Sequence, residues 1–189
     1  LPRDLKLRKL PSELCNMLNS DPGSPFKDLI KRVSDENSLN VITDSSIEKM
    51  IQKSLKPLGI LNQFKGIGNE QNDSEAMYKI LVFYWSQVRK VFPEAWGLTP
   101  QKSRLMHNAG IKSMGVLMDQ IMMRIESLPN PEKELLDSLN NIRPYCRWTS
   151  GTWDVLGLKW NEVQVLPNHI NKLSEYLCRM ERDLRMVKK

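Results

Sequence analysis

The amino-acid sequence predicts an all-α protein, a multi-helix orthogonal bundle of about eight helices. Three observations lead to this prediction. Apolar residues recur at steps of three and four through most of the chain, which places them on one face of an α-helix. Several prospective helices begin with a capping residue followed by proline, the favoured pair at a helix start. Strands and helices do not alternate as in α/β proteins, and no long sequence repeat occurs.

Two helices are predicted near the beginning of the chain. The first begins at Ser12, directly after Pro11. Asp21-Pro22-Gly23 ends it, because proline cannot continue a helix and glycine tolerates the turn. The second begins at Ser24-Pro25, where serine caps the helix and proline occupies its first position.

A third helix follows a short β-branched run. Val41-Ile42-Thr43 predicts either a strand or the approach to a helix cap. The helix itself begins at Ser45 or Ser46 and continues through Lys56. The segment 63–73 contains two glycines and is predicted to be a surface loop.

The longest predicted helix extends from about Ser74 to Phe92. Met77, Leu81 and Trp85 belong to an apolar surface that covers more than half of its circumference. A helix of this kind is typical of the middle of a bundle.

The second half of the chain predicts four more helices. Thr99-Pro100 begins a short one that ends near His107. A methionine-rich helix covers 111–128, and the next extends from Pro131 to about Ile142. The last is amphipathic and begins at about Asn168.

The segment Tyr145–Trp160 differs from the helices around it. Three tryptophans and two glycines occur there. This composition predicts a small β-hairpin or an irregular lid whose aromatic side chains pack on the helices.

Length and composition place the chain in the soluble globular class. It has 189 residues, 40% of them hydrophobic and 26% charged, close to the average for globular domains. We therefore expect a single helical domain over 1–189, with 1–62 and 73–189 as an alternative division. The formal net charge is +6, which makes contact with a polyanion such as DNA plausible without requiring it.

Cysteine usage and hydropathy indicate a cytoplasmic protein. The three cysteines, Cys15, Cys146 and Cys178, form no CxxC pair and predict neither a disulfide framework nor a zinc site. No apolar run approaches the roughly 20 residues that cross a bilayer, so no membrane contact is expected. Because the sequence begins with Leu1, we expect a piece of a longer protein or a processed product.

No catalytic, cofactor or metal site is predicted for this chain. The two histidines, His107 and His169, are interpreted as surface or partly packed residues rather than bases for a nucleophile. Acidic side chains come nearest to a metal-ligand set at the start of the 131–142 helix, where the helix dipole already favours them. Gly66-Ile67-Gly68 lacks the lysine and the third glycine of a phosphate loop.

Thr99–Ile125 has the form of a helix-turn-helix. Lys112 and Arg124 are the only basic residues on its second helix, and a broad apolar face occupies the rest. A helical hairpin in the core is therefore the preferred interpretation, with DNA recognition as the alternative. Its methionines are interpreted as core residues, with an adaptable partner groove as the alternative.

Basic residues concentrate at the two chain ends. If the termini lie close together, as they often do, these side chains would form one patch that contacts nucleic-acid phosphates. Solvated helix faces beside neighbouring acidic residues are the alternative interpretation. The candidate residues are Arg3, Lys6, Arg8, Lys9, Arg179, Arg182, Arg185, Lys188 and Lys189.

The order of several aromatic motifs resembles a known family. Ser24-Pro25-Phe26 precedes Phe83-Tyr84-Trp85, and Phe92-Pro93-Glu94-Ala95-Trp96-Gly97 follows. A Leu-Met-x-x-x-Gly-Ile turn begins at Leu105, and the tryptophan-rich segment comes before the last helix. In this order the chain, from about residue 20 onward, is similar to the C-terminal helical half of DGQHR-domain proteins, which include DndB of the DNA phosphorothioate-modification systems.

The resemblance implies a role in bacterial DNA modification, defence or the transcriptional regulation of modification genes. The Asp-Gly-Gln-His-Arg signature of the family is absent from this sequence; in the family it lies in an N-terminal half similar to the ParB/sulfiredoxin-like fold. No catalytic or nucleotide-binding residue is therefore carried over, and the turn around Trp96 corresponds to a structural feature.

Three functional hypotheses follow. The first is a non-enzymatic accessory or interaction domain of a DGQHR/DndB-like protein that contacts DNA or other proteins of a DNA-modification system. The second is the lid or support half of a nucleotide- or DNA-acting enzyme whose active site lies upstream. The third is a scaffold that binds only proteins.

Overall fold

The computed structural model describes residues 2–32 and 41–188, which form six α-helices with minor β-structure. The all-α prediction is confirmed, although the described residues contain six α-helices rather than about eight; three short 3₁₀ turns lie between them. The helices are α1 (Arg3–Ser20), α2 (Asp44–Ser54), α3 (Ser74–Val91), α4 (Asn108–Ile125), α5 (Pro131–Ile142) and α6 (Pro167–Val187). The strands are β1 (Ile30–Lys31), β2 (Ile42–Thr43), β3 (Thr152–Trp153) and β4 (Leu158–Lys159).

Helix α4 is the central element of the bundle. It packs against α2, α5 and α6, while α3 packs against α1 and α5. The Tyr84 hydroxyl of α3 donates a buried hydrogen bond to the Met114 carbonyl of α4 at 2.6 Å. Buried side chains from all six helices belong to one hydrophobic cluster. The expectation of a single domain stays a prediction.

The N-terminal helix begins earlier than the sequence indicated. It starts at Arg3 rather than Ser12, and Pro11 lies inside it. An internal proline costs a helix about 3 kcal/mol because a backbone hydrogen bond is lost. Leu10, Leu14 and Leu18 are nevertheless fully buried, and their packing between α2 and α3 outweighs that cost.

The predicted helix at Ser24-Pro25 was wrong, because this segment forms turns that enter β1. The Ser24 hydroxyl accepts a hydrogen bond from the Phe26 backbone amide at 3.1 Å, as in a turn rather than a helix cap. Asp28 then adopts φ 60°, which ends any helical path. Phe26 is buried against Trp85, with ring centroids 5.2 Å apart.

The Val41–Thr43 run contains a strand and also leads into a helix cap, so both of the structures predicted for it occur. Ile30 pairs in parallel with Ile42 of β2. Thr43 is then the N-cap of α2, and its hydroxyl accepts a hydrogen bond from the Ser46 amide. This cap places the start of α2 at Asp44, and the helix ends at Ser54 instead of reaching Lys56.

The short helix predicted from Thr99 to His107 was also wrong. The chain forms turns here, and contacts with the tryptophan-rich segment hold it. The Arg104 amide donates to the Trp148 carbonyl at 2.8 Å, and its guanidinium donates to the carbonyls of Val163 and Asn161. Without that first helix the segment has no helix-turn-helix geometry, and the core interpretation of α4 is correct: Met114, Met118 and Met122 are buried, whereas Met123 is 48% exposed.

The predictions for α3, α5 and the tryptophan-rich segment are confirmed. Strands β3 and β4 pair in antiparallel fashion and form the hairpin. Trp153 packs edge-on against Trp148 at 5.1 Å and against Tyr176 of α6 at 6.1 Å. None of the described helices is long and apolar enough to cross a membrane.

Candidate nucleic-acid interface

A glycine in α4 sets the distance between α4 and α2. A Cβ atom at Gly115 would lie 2.4 Å from the Met50 Cγ atom of α2, well inside van der Waals contact. The absence of that atom lets the buried Met50 side chain fill the space, so the two helices approach closely. The exposed flank of α2 therefore lies beside the flank of α4.

Three lysines meet where these flanks meet. Lys49 and Lys53 are exposed and lie one turn apart on α2, and half-buried Lys112 lies on α4. They share a cavity of about 270 Å³ with the beginning of α6, which we call the lysine pocket. Partial burial and then the charges of Lys49 and Lys53 lower the pKa of Lys112. The remaining lining residues are Met50, Gly115, Val116, Asp119, Pro167, Ile170 and Asn171.

The lysine pocket continues into a longer concavity between α4 and α6. Lys53, Val116 and Asn171 line both, and the second part has a volume of about 510 Å³. Arg179 and Arg182 line its α6 side. We call the combined surface the basic groove, defined by Lys49, Lys53, Lys112, Arg179 and Arg182.

Two carboxylates also line the basic groove, Asp119 and Glu175. Asp119 is engaged by the bundle, because its carboxylate accepts hydrogen bonds from the Ser54 hydroxyl at 2.6 Å and the Ile60 amide at 3.0 Å. Burial raises the pKa of this carboxyl, while those two hydrogen bonds and Lys53 act in the opposite direction. The groove thus carries five cationic side chains against two carboxylates.

A buried glutamate fixes α6 against its neighbours. The Glu181 side chain is fully buried and accepts hydrogen bonds from Arg124 at 2.7 Å and Arg185 at 3.3 Å. The Ser138 hydroxyl of α5 donates to it at 3.2 Å, and the Gln120 amide of α4 donates at 2.8 Å. The Gln120 side-chain oxygen accepts a hydrogen bond from the Arg182 guanidinium at 3.1 Å. The same polar cluster therefore positions one wall of the groove.

The predicted C-terminal residues divide between the groove and the fold. Arg179 and Arg182 line the basic groove. Arg185 is held by Glu181, and Lys188 donates to the Asn141 side chain. Lys189 lies outside the described residues.

The predicted N-terminal residues lie in other places. Arg3 donates to the Gly66 carbonyl at 3.0 Å. Lys6 and Lys9 line a concavity with Arg3 and the 68–72 loop, and Arg8 lines another with Lys56, which follows α2. Helix α1 packs against α2 and α3, whereas α6 packs against α4 and α5. The N-terminal basic residues therefore line other concavities than the one that Arg179 and Arg182 line.

Sequence reasoning missed the lysines of α2. Lys49 and Lys53 stand four residues apart, a spacing that places them on one helix face. That signal was available, but the residues opposite them, Lys112 and Arg179, are more than 50 positions further along the chain. Only the packing of α2 and α6 on α4 reveals the cluster.

Nucleophilic chemistry has little support in the described residues. Burial raises the pKa of the Cys15 and Cys178 thiols to about 11, and it raises the pKa of Cys146 as well. Thiolates are thus scarce at neutral pH. Partial burial, with Arg104 nearby, lowers the pKa of His107 to about 4, and its Nδ1 atom accepts the Ala109 amide as the cap of α4. His169 accepts the Gln164 amide.

The acidic residues at the start of α5 form ion pairs. Glu134 lies 3.9 Å from Arg124, and Asp137 lies 2.6 Å from Lys133. Within residues 2–32 and 41–188, no group of three or more His, Cys, Asp or Glu side chains is arranged to hold a metal ion.

Comparison with known proteins returned no match to this chain among protein-family models, curated proteins or solved structures.

Proposed function

We propose that this chain is a helical, non-catalytic domain that contacts DNA through the phosphate backbone, which it binds along the basic groove. The carrying observation is the convergence of five cationic side chains from α2, α4 and α6 on one concave surface. In the part of the chain that the structure describes, Lys49, Lys53, Lys112 and Arg179 form no ion pair. Their charges are therefore available to an external anion.

The physical chemistry of the groove favours a phosphate polymer. Lysine and arginine release condensed counterions when they neutralise phosphates, and this release supplies most of the sequence-independent affinity for nucleic acid. A concave surface with an excess of one sign of charge also attracts ligands of the opposite sign, and the basic groove has five cationic side chains against two carboxylates. These effects need no base-reading side chain, so the proposal implies little DNA sequence preference.

We also propose that the chain belongs to a DGQHR/DndB-like protein of a bacterial DNA-modification, defence or regulatory system. The aromatic motifs in the order described above support this assignment, and a phosphate-binding groove suits a DNA partner. The sequence upstream of this chain in its gene tests the proposal. A DGQHR signature there is the expected result, and its absence would remove the family assignment. The three free cysteines suit the cytoplasm that this assignment requires.

Charge reversal tests the DNA-binding proposal. Fluorescence anisotropy with labelled single-stranded and duplex DNA should show that Lys53→Glu and Arg182→Glu each weaken binding by about tenfold or more. Lys90→Glu is the matched control, because Lys90 is exposed on α3, which packs against α1 and α5. That variant should stay within about twofold of wild type.

Two outcomes would contradict the proposal. Equal losses of DNA affinity in the groove variants and the control would show that binding depends on net charge alone and not on the groove. Absence of measurable binding by the wild-type chain would remove the proposal and favour the protein scaffold. A scaffold would use the apolar concavity beside the groove, where Leu58 is 88% and Met123 48% exposed.

A further inference from the structure

We propose that the lysine pocket binds the terminal phosphate of a DNA strand whose backbone lies in the rest of the basic groove. This inference rests on the proposed function and adds a ligand class to it, the phosphate monoester. It is carried by the charge, the size and the position of the pocket.

The charge of the pocket matches a dianion. Lys49, Lys53 and Lys112 contribute three positive charges, and Asp119 is the one carboxylate among the residues that line the pocket. The Oδ1 atom of Asp119 accepts hydrogen bonds from the Ser54 hydroxyl and the Ile60 amide, and the three lysines exceed this single carboxylate by two charges. An internal phosphodiester carries one negative charge, whereas a phosphate monoester carries about 1.5 to 2 at neutral pH. The monoester is therefore the better match for the net charge of the pocket, three lysines against one carboxylate.

The pocket is small compared with the rest of the groove. Its volume is about 270 Å³, against about 510 Å³ for the adjoining part. Pockets that enclose a whole small molecule generally have volumes of about 300 to 1,000 Å³. The lysine pocket therefore suits a phosphoryl group and part of its sugar, while the larger part receives the chain that follows.

The position of the pocket suits a strand end. Pro167 and Ile170, from the first turn of α6, line it, and Arg179 and Arg182 lie further along the same helix. The basic groove thus runs along α6 from its N-terminal end. No side chain caps α6 at that end, and the uncapped end of a helix attracts negative charge. A phosphate held by the lysines would lie beside it.

The test compares one short single-stranded DNA sequence in three forms: with a 5′-phosphate, with a 3′-phosphate, and with neither. One of the two phosphorylated forms should bind about tenfold more tightly than the unphosphorylated form, the factor that one charge-assisted hydrogen bond typically provides. Lys112→Gln should abolish this preference, so that this variant binds the phosphorylated and unphosphorylated forms with affinities within about twofold of each other. Lys90→Gln, on α3, should leave the preference intact.

The outcomes separate this inference from the proposed function. If the wild-type chain binds all three forms equally and the groove variants still weaken binding, the terminal-phosphate pocket is wrong while the DNA-binding groove stands. A preference that persists in Lys112→Gln, with circular dichroism showing an intact fold, also overturns the pocket. If no form of the strand binds, both proposals fail.

Discussion

His107, which caps the N-terminal end of α4, makes the stability of the fold depend on pH. Its Nδ1 atom accepts the Ala109 amide hydrogen at 3.1 Å, which requires an unprotonated Nδ1. Partial burial and then the charge of Arg104 lower its pKa from 6.5 to about 4. The unfolded chain therefore binds a proton at a higher pH than the folded chain does, so this residue's contribution to stability is present above pH 6.5 and is lost as the pH falls toward 4.

Replacing His107 with asparagine should remove this pH dependence. Asparagine is a favoured N-cap whose side-chain oxygen can accept the same amide, and it does not titrate. The difference in unfolding free energy between wild type and His107→Asn should change by about 2 kcal/mol between pH 7 and pH 4, after allowance for partial exposure. Urea denaturation across this range measures it, and a constant difference would contradict the assignment.

Glu181 is the residue on which the α4, α5 and α6 contacts converge. Removing an acceptor leaves its buried hydrogen-bond donors unsatisfied and costs about 1 to 3 kcal/mol. We expect Glu181→Ala to lose about 2 kcal/mol of unfolding free energy, because Arg124, Ser138 and Gln120 would lose the buried carboxylate to which they donate. Chemical denaturation measures the loss.

Asp137→Ala provides the control for that measurement. Asp137 pairs with Lys133 at 2.6 Å, but both side chains are more than half exposed, and exposed pairs contribute little. If the unfolding free energy falls equally in the two variants, the burial of Glu181 does not increase its contribution to stability.

At the scale of elements, periodicity predicted the long helices well and turn signals predicted the short segments poorly. The bounds of α3 follow from apolar spacing because the helix buries one regular face, and the start of α5 follows from Asn130-Pro131, where Asn130 caps the helix. Local signals misled where tertiary contacts dominate: Pro11 lies within α1, and Ser24-Pro25 and Thr99-Pro100 form turns. In each case buried partners elsewhere in the chain decide the local conformation.

The α2–α4 contact gives a prediction at this scale. Gly115→Ala should destabilise the protein by about 1 kcal/mol, because the overpacking cost of about 1 to 3 kcal/mol exceeds the gain of up to about 1 kcal/mol in helix propensity. It should also weaken DNA binding, because the lysines of α2 would move away from Lys112. Thermal denaturation and anisotropy measure the two effects.

A double-mutant cycle identifies the cause. In a Met50→Ala background the space at the contact is vacated, so Gly115→Ala should there become neutral or stabilising. If Gly115→Ala costs the same free energy in both backgrounds, the close approach of Met50 does not account for the glycine.

For the whole molecule, the predicted helical architecture is confirmed, and of the basic residues predicted at the chain ends, Arg179 and Arg182 line the candidate groove. The chain ends were the visible clusters, yet Arg185 and Lys188 are engaged within the fold. The candidate site instead combines α2, the beginning of α4 and the middle of α6. Residues so distant in sequence show no common pattern, because their proximity depends on how three helices pack. The predicted role in DNA modification stays a prediction, as does the absence of enzymatic activity.

The central claim is that the lysines and arginines of the basic groove neutralise DNA phosphates. Its most direct test is the salt dependence of single-stranded DNA binding by the wild-type chain, Lys53→Ala and the control Lys90→Ala. The logarithm of the association constant should fall linearly with the logarithm of salt concentration, and the slope should become shallower by about 0.7 in Lys53→Ala while that of Lys90→Ala is unchanged. A wild-type affinity insensitive to salt, or a slope that Lys53→Ala leaves unaltered, would contradict the claim.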